Sequence, residues 1–271
     1  MFACQDHAPT VLISVPNVSE GRDQTKLDTI AQAFQPVYWS SDADHHRAVF
    51  TLIGRPGELH TQVLAGARVA VEHVDLTHHR GLHPRVGAVD VAPIVYLDPA
   101  DRGAACAEAL ILADELGQLG VPVYLYGELA GGRTRAELRR PGGLQHFSPD
   151  FGPQRLHPTA GATLVAARPP LVAFNVEIDA PIETAKAIAQ RLRTELDVRA
   201  LGLQLSTAVQ VSTNIEDHTR TTMADVVAAV REHATVLGAE LVAPAPRAAH
   251  ADFPEDVPLR GPAPLEDHLT S

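Results

Sequence analysis

The stretch 171-LVAFNVEIDAPIETAKAIAQRLRTEL-196 shows how this chain joins a strand to a helix. Its first eight residues, 171–178, are mostly apolar, which predicts a strand. Asp179, Pro181 and Glu183 then supply a cap, a first-turn proline and a first-turn acid for a helix. The apolar residues of that helix recur three and four positions apart and predict one buried face: Ile182, Ala185, Ile188, Ala189, Leu192 and Leu196.

Two strands, a second helix and a last strand are predicted to follow. Residues 198–205 and 208–216 alternate apolar and polar side chains with the period of a strand. A helical period runs over 221–237 and ends at Gly238, and 240–243 is a short strand-like run. The resulting order, βαββαβ, is that of the ferredoxin-like fold.

The first half of the chain predicts another α/β unit. Pro16 ends its first strand, and Asp23 is the expected cap of its first helix. A connection over 127–167 has no strong periodicity, and connections of that length tend to carry function. The predicted elements are strands over 11–15, 37–40, 47–53, 88–96 and 121–126, and helices over 24–34, 58–73 and 103–118.

Composition excludes several classes of protein. The chain has 271 residues, of which 45% are hydrophobic, so it can bury a full core. A net charge of −11 argues against non-specific binding to nucleic acid or to an anionic membrane. Cys4 and Cys106 give neither a disulfide framework nor a zinc spacing, and the first residues, 1–10, lack the pattern of an export signal. We expect a cytoplasmic protein without membrane spans.

Half of the fourteen histidines lie between positions 45 and 83, and histidine suits both metal ligation and proton transfer. His79 and His83 are four residues apart, which on a helix would place both imidazoles on one face. Gly81 lies between them, and Pro84 moves the residue before it away from helical geometry. We therefore expect no metal.

His83 has the most constrained setting of these histidines. Pro84 fixes its backbone, and a predicted core strand begins at residue 88, so a general acid or base could be held there. A loop histidine that makes a structural hydrogen bond is the alternative. For His45 the favoured interpretation is the polar tip of a hairpin, and Arg47 begins a strand where it could meet a carboxylate.

Seven stretches resemble the formiminotransferase domain of the glutamate formimidoyltransferases. They recur in order from residue 11 to about residue 215: SVPNVSEGR (14–22), SSDADHHRAVFTLIG (40–54), DLTHHRGLHPRVGAVDVAPIVYL (75–97), VPVYLYGE (121–128), DFGPQRLHPTAGAT (150–163), PPLVAFNVEI (169–178) and VQVSTN (209–214).

The resemblance implies an α/β (α+β) protein of two subdomains lying side by side, with a ligand tunnel between them, which forms a homodimer. Together with the element order above, we expect two ferredoxin-like βαββαβ-type subdomains. Their bounds would be 1–168 and a shortened 169–243. Six prolines in 244–271 predict an extended tail that is not packed.

The activity implied by the resemblance is transfer of a formimino group from N-formimidoylglutamate to tetrahydrofolate, as co-substrate, in histidine breakdown. No nucleic acid, membrane or metal is expected as a partner. The resemblance makes His83 the catalytic histidine, whose imidazole would carry a proton from N5 of the folate to the leaving amine. The expected folate-binding residues are Gly152, Pro153, Gln154, Arg155, Leu156, His157, Pro158, Thr159, Ala160 and Gly161.

Charge and position suggest the substrate-binding residues. Asp42 and Asp44 would hold the cationic amidine of the donor, with His46 beside them. Arg47 and Arg85, together with Arg155 of the folate loop, would hold glutamate carboxylates.

Three positions depart from the family pattern and motivate an alternative. Leu82 stands where the family usually has Glu, His46 where it has Asn, and Tyr38 where it has Asp. A folate-binding relative with altered or no transferase activity is therefore the second hypothesis. A metal-dependent hydrolase that uses the histidine cluster is the third.

Overall fold

The computed structural model describes residues 10–269, and its chain divides into two compact units after Pro169. Cys4 and most of the N-terminal stretch considered for an export signal lie outside the described residues. Within residues 10–269, no helix is long and apolar enough to cross a membrane.

Over residues 10–169, the first unit has seven strands and four α-helices. They are β1 (Leu12–Ser14), β2 (Asn17–Val18), α1 (Gln24–Phe34), β3 (Tyr38–Asp42), β4 (Arg47–Gly54), α2 (Leu59–His73), β5 (Val89–Tyr96), α3 (Arg102–Gln118), β6 (Val123–Leu125), α4 (Arg135–Arg139) and β7 (Thr163–Arg168).

All seven strands of the first unit belong to one sheet. β1 and β2 both pair with β4 on one side and β5 on the other, so they act as one strand that is interrupted at Val15 and Pro16. β3 flanks β4, which gives the ferredoxin-like order around the interrupted strand. β7 and β6 then extend the sheet beyond β5 with parallel pairing.

The main core of the first unit lies between this sheet and α1, α2 and α3. α1 has the bounds that the sequence predicts, because the Asp23 carboxylate accepts a hydrogen bond from the amide of Lys26 at 3.2 Å. The prediction that 127–167 is irregular misses β7. Its six residues form a nearly buried strand whose position depends on pairing with β5, not on its own short pattern.

Over residues 170–269, the second unit has five strands and three α-helices. They are β8 (Val172–Asp179), α5 (Ile182–Glu195), β9 (Arg199–Gln204), β10 (Val209–Ile215), α6 (Met223–Arg231), β11 (Thr235–Leu241), β12 (Leu259–Arg260) and α7 (Leu265–Leu269). Its sheet has the order β12-β11-β8-β10-β9, and the pairs among β8 to β11 are antiparallel. The predicted ferredoxin-like topology of this half is confirmed.

Two local predictions in the second unit are wrong. α6 ends at Arg231, and the segment predicted as its last turns is β11, because Ala239 pairs with Val176 across the sheet. Leu237, expected to face inward on a helix, is 54% exposed. Asp179 is the last residue of β8 and not a cap, because α5 begins after Pro181 without a side-chain cap.

The prediction of an unpacked tail is also wrong. β12 adds to the sheet parallel to β11, and the amide of Leu265 donates to the carbonyl of Ala245 at 2.8 Å. Three small apolar residues between the prolines belong to the core of the second unit, Ala245, Ala249 and Val257, and Leu265 is also buried. The ligand tunnel stays a prediction.

Candidate active site

A buried aspartate on β5 organises the candidate site in the first unit. Asp90 is fully buried, and its Oδ1 accepts a hydrogen bond from the amide of Val86 at 2.8 Å. Its Oδ2 accepts from two guanidinium groups, Arg47 Nη1 at 2.8 Å and Arg139 Nη2. Arg47 begins β4 and Arg139 ends α4, so one carboxylate ties together three elements that are distant in sequence.

His83 is attached to this ion-pair group through Arg47. Its Nδ1 lies 3.1 Å from Arg47 Nη1 and 2.7 Å from the carbonyl oxygen of Pro84. These two neighbours favour opposite tautomers. A protonated Nδ1 donates to the carbonyl and leaves Nε2 with a free lone pair, whereas a bare Nδ1 accepts from Arg47 and leaves the proton on Nε2. The surroundings therefore accommodate both neutral forms of the imidazole.

Burial and charge keep His83 neutral. Burial lowers its pKa well below the usual value, and the positive charges of Arg47 and Arg139 lower it further. Burial also lowers the pKa of Arg47 to about 10, although Asp90 opposes this effect. Burial works against the charge of Asp90, but Arg139 and Arg47 outweigh it and hold the pKa of Asp90 well below its usual range.

A second network fixes the loop that carries His83. Glu20 is buried, and its Oε1 accepts from the amides of Gly21, Arg22 and Asp23 at 2.8–3.1 Å, just before α1. Burial raises the pKa of Glu20, but these amides lower it by more, so the carboxylate stays charged. The same oxygen lies 3.0 Å from Nε2 of His46.

His46 stacks on His79 and continues the network toward Arg85. The two rings are 4.1 Å apart between centroids and nearly parallel, at 6°. Arg85 Nε donates to Nδ1 of His79 at 2.6 Å, so the ring proton is on Nε2, which donates to the carbonyl of His46 at 3.0 Å. Burial is the main reason that the pKa of His79 falls to about 4, and Arg85 adds to it. Both nitrogens of His79 are occupied, which argues against its use in a metal pair with His83.

Two glycines join the His83 loop to the predicted folate loop. Gly87 and Gly161 form a bridge, and a Cβ added to Gly87 would lie 1.7 Å from the carbonyl oxygen of Ala162. The amide of Leu76 also donates to the carbonyl of Thr159 at 2.9 Å. The structure therefore places the end of the segment 152–161 against the loop that carries His83.

The rest of the segment predicted to bind folate is exposed at one end and turned back at the other. Residues 152–156 are exposed, and Leu156 is among the exposed large apolar side chains. His157 closes a tight turn, because its amide and carbonyl bond to Gly161 and its Nδ1 accepts from the amide of Ala160 at 3.0 Å. Exposed backbone and apolar surface are thus available at residues 152–156, and the other end of the segment contacts the His83 loop.

The other residues predicted for substrate binding are partly occupied by the protein itself. Asp42 Oδ1 accepts from the amide of His45 at 2.7 Å, and the carbonyl of Asp44 accepts from the amide of Leu82 at 3.1 Å. Arg85 is held by His79, and Arg155 lies in the exposed part of its loop. His45, expected at a polar hairpin tip, follows β3 at such a turn, but it is buried, and its ring centroid is 6.1 Å from that of His83.

Sequence reasoning missed Asp90, Arg139 and Glu20. Asp90 had a signal, because it is one acid within the apolar run 86–97, and an acid inside a buried strand requires a partner. Arg139 lies in a connection without periodicity, 49 residues from Asp90, so nothing local indicated the pair.

The family profile described as formiminotransferase domain, N-terminal subdomain, matches residues 11–168, which contain every residue of this site. The glutamate formimidoyltransferase of Streptococcus pyogenes serotype M1 is 31% identical over 89% of this chain and 91% of its own length. The chain belongs to the formiminotransferase family. It is therefore a transferase of the formimidoyl-transferring class.

Two further relatives agree with this assignment. The glutamate formimidoyltransferase of Thermoplasma acidophilum is 33% identical over 76% of this chain and 77% of its own length. The formimidoyltransferase-cyclodeaminase of Sus scrofa is 36% identical over 75% of this chain but only 43% of its own length. The chain spans less than half of that bifunctional relative.

Proposed function

We propose that this formiminotransferase moves the formimino group of N-formimidoylglutamate to tetrahydrofolate, as a cytoplasmic homodimer that acts in histidine breakdown. The observation that supports the chemistry is the position of the His83 imidazole, whose Nδ1 lies 3.1 Å from Arg47 Nη1, on a loop that contacts the segment proposed to bind folate. The names of two relatives support glutamate as the product that leaves.

The segment 152–161 fits a folate. Its exposed Leu156 offers apolar contact, and the exposed backbone of residues 152–156 offers hydrogen-bonding groups. Tetrahydrofolate supplies a nucleophilic nitrogen, N5, to the amidine carbon of the donor. The protein's part is to bind both substrates, orient them and move one proton.

His83 carries that proton. With Nδ1–H donating to the carbonyl of Pro84, its Nε2 is free to accept the proton that N5 loses. The imidazolium that forms lies beside Arg47 and Arg139, whose positive charges disfavour it. His83 is therefore expected to pass the proton on quickly to the nitrogen of the departing glutamate, which restores the neutral ring.

Turnover by the purified chain tests this function. Protein, N-formimidoylglutamate and tetrahydrofolate are mixed, and glutamate release is followed against a reaction without tetrahydrofolate. We expect release that depends on both substrates. No release with both substrates present would overturn the proposed activity. Light scattering of the same sample would test the homodimer, which rests on the family resemblance alone.

Leu82 supports a second candidate, a folate-binding member without transferase activity. It stands where the family usually has Glu, and it is 47% exposed beside His83, so the expected carboxylate is missing at this surface. This candidate predicts that a reduced folate raises the unfolding temperature while no glutamate is released. Release of glutamate at a rate proportional to enzyme concentration would eliminate it.

A further inference from the structure

Two buried hydrogen-bond donors of the first unit, on Tyr126 and Arg139, have no acceptor among residues 10–269. Tyr126 is 6% exposed, and its hydroxyl is buried without a hydrogen-bond partner among residues 10–269. The side chain of Arg139 is 12% exposed, and its Nε has no partner in the same part of the chain. A buried polar group without a hydrogen-bond partner destabilises the folded state. The presence of two such groups therefore has to be explained.

Both donors lie around α4. Tyr126 follows β6, and its ring packs in the same apolar cluster as Leu138, the neighbour of Arg139. The guanidinium of Arg135, one helical turn before Arg139, lies 5.7 Å from the centroid of the Tyr126 ring. Tyr126 therefore packs against the helix that carries Arg139, through Leu138 and Arg135.

The Arg139 guanidinium is connected to His83 through ion pairs. Arg139 Nη2 binds Asp90 Oδ2, the same oxygen that accepts from Arg47, and Arg47 in turn lies 3.1 Å from Nδ1 of His83. A group bound at Arg139 is thus separated from the proposed proton carrier only by Asp90 and Arg47.

Charge and hydrogen-bonding capacity select the ligand. Arg47 and Arg139 share one carboxylate, so these three buried side chains carry one net positive charge. A guanidinium N–H only donates, and the tyrosine O–H has a proton to give. A carboxylate supplies a negative charge and two acceptor oxygens, and its hydrogen bonds to a cation are among the strongest that proteins make.

We propose that the Tyr126 hydroxyl and Arg139 Nε bind a carboxylate of the amino-dicarboxylate donor, with its amidine end toward His83. This inference rests on the proposed function and names the residues that recognise its donor. Arg139 takes the place of Arg85 as the arginine proposed to bind this carboxylate, because Arg85 already donates a hydrogen bond to His79.

Tyr126→Phe tests the site without removing a structural contact, because the hydroxyl bonds to nothing in the described chain. Tyr96→Phe is the matched control, because Tyr96 is also buried but belongs to the core on the helical side of the sheet. Isothermal titration of the full chain with L-glutamate gives the affinity, and urea unfolding gives the stability.

We expect Tyr126→Phe to weaken L-glutamate binding by roughly 10- to 100-fold, the loss of one charge-assisted hydrogen bond, with no loss of stability. Tyr96→Phe should bind L-glutamate as the unchanged chain does. Equal affinity of Tyr126→Phe and the unchanged chain, or no binding of L-glutamate by the unchanged chain, would overturn the proposal.

Kinetics separate the two carboxylate sources, since folate also carries a glutamate tail. The proposal predicts that Tyr126→Phe raises KM for N-formimidoylglutamate and leaves KM for tetrahydrofolate unchanged. A rise in KM for tetrahydrofolate alone would overturn the assignment to the donor. If the chain releases no glutamate but Tyr126→Phe still loses affinity for L-glutamate, the proposed function fails and the carboxylate site stands.

Discussion

The two units share a ferredoxin-like strand order but bury very different side chains. The second unit buries polar residues that do not ionise in the ordinary range: Asn175, Gln210, Thr213 and Thr221. The first unit buries ionisable ones: Glu20, His45, His79, Asp90 and Glu108. Topology therefore does not distinguish the unit that carries the candidate chemistry, whereas the burial of charge does.

Part of the difference in burial arises where the first unit departs from the simple fold. Its first strand is interrupted at Pro16, which frees Glu20 to bind the amides that precede α1. The connection between β6 and β7, residues 126–162, supplies Arg139 and the loop at 152–161. In the second unit, ion pairs such as Arg260 with Glu177 lie at the surface. The interrupted strand and this connection thus supply Glu20 and Arg139, whereas Asp90 itself lies on the core strand β5.

Asp90→Asn should have the largest effect on stability, because it leaves Arg47 and Arg139 buried without a counter-charge. We expect a loss of about 3–5 kcal/mol in the free energy of unfolding. The single tryptophan, Trp39, stacks on Phe50 in the first unit, so its fluorescence in urea reports the unfolding of that unit.

Glu177→Gln is the control in the second unit, because its partner Arg260 is exposed. We expect it to lower the free energy of unfolding by less than about 1 kcal/mol, as measured by circular dichroism in urea. If both substitutions cost the same, burial of charge does not distinguish the two units.

Gly87→Ala should cost about 2–3 kcal/mol, because the added methyl overlaps a backbone oxygen of Ala162 that cannot move away cheaply. The measurement is the same urea titration at Trp39. Gly103→Ala in α3 is the control. Its methyl would meet nothing within 4 Å. Because alanine favours a helix more than glycine does, this substitution should raise the free energy of unfolding by up to about 1 kcal/mol. If Gly87→Ala leaves the free energy of unfolding unchanged, the close contact between the His83 loop and residues 160–162 is contradicted.

Glu20→Gln should cost about 1–2 kcal/mol at neutral pH, because the charged acceptor of three amides is lost. The folded pKa of Glu20 is lowered, so its contribution is present above the unfolded pKa and is lost as pH falls through the folded value. The difference in free energy of unfolding between Glu20→Gln and the unchanged chain should therefore become smaller below about pH 4.

Asp225→Asn is the matched control for Glu20, because Asp225 belongs to an exposed capping box at the start of α6 in the second unit. We expect it to lower the free energy of unfolding by less than about 1 kcal/mol. A Glu20→Gln cost that does not change between neutral and acid pH would show that the charge of Glu20 is unimportant.

Local signals in the sequence predicted some elements well and others badly. α1 was placed correctly at both ends, because the cap at Asp23 is a contact between near neighbours. The last turns predicted for α6 are β11, because pairing with β8 outweighs a helical period of apolar residues. β7 was missed for the same reason, since its place depends on β5.

The candidate site was predictable only where one loop carries it. His83 could be singled out because Pro84 and the following strand constrain its backbone. Its electrostatic setting could not, because Arg47, Asp90 and Arg139 meet across separations of 43 and 49 residues. The roles of His46 and His79 also depend on a ring stack between two loops.

The turnover number of His83→Ala tests the central claim most directly. Saturating N-formimidoylglutamate and tetrahydrofolate are supplied, and glutamate release is compared with that of the unchanged chain and of His45→Gln, whose ring is 6.1 Å from His83. We predict that kcat of His83→Ala falls by roughly 10²- to 10⁴-fold, while His45→Gln retains most of its activity. Full activity in folded His83→Ala would contradict the account.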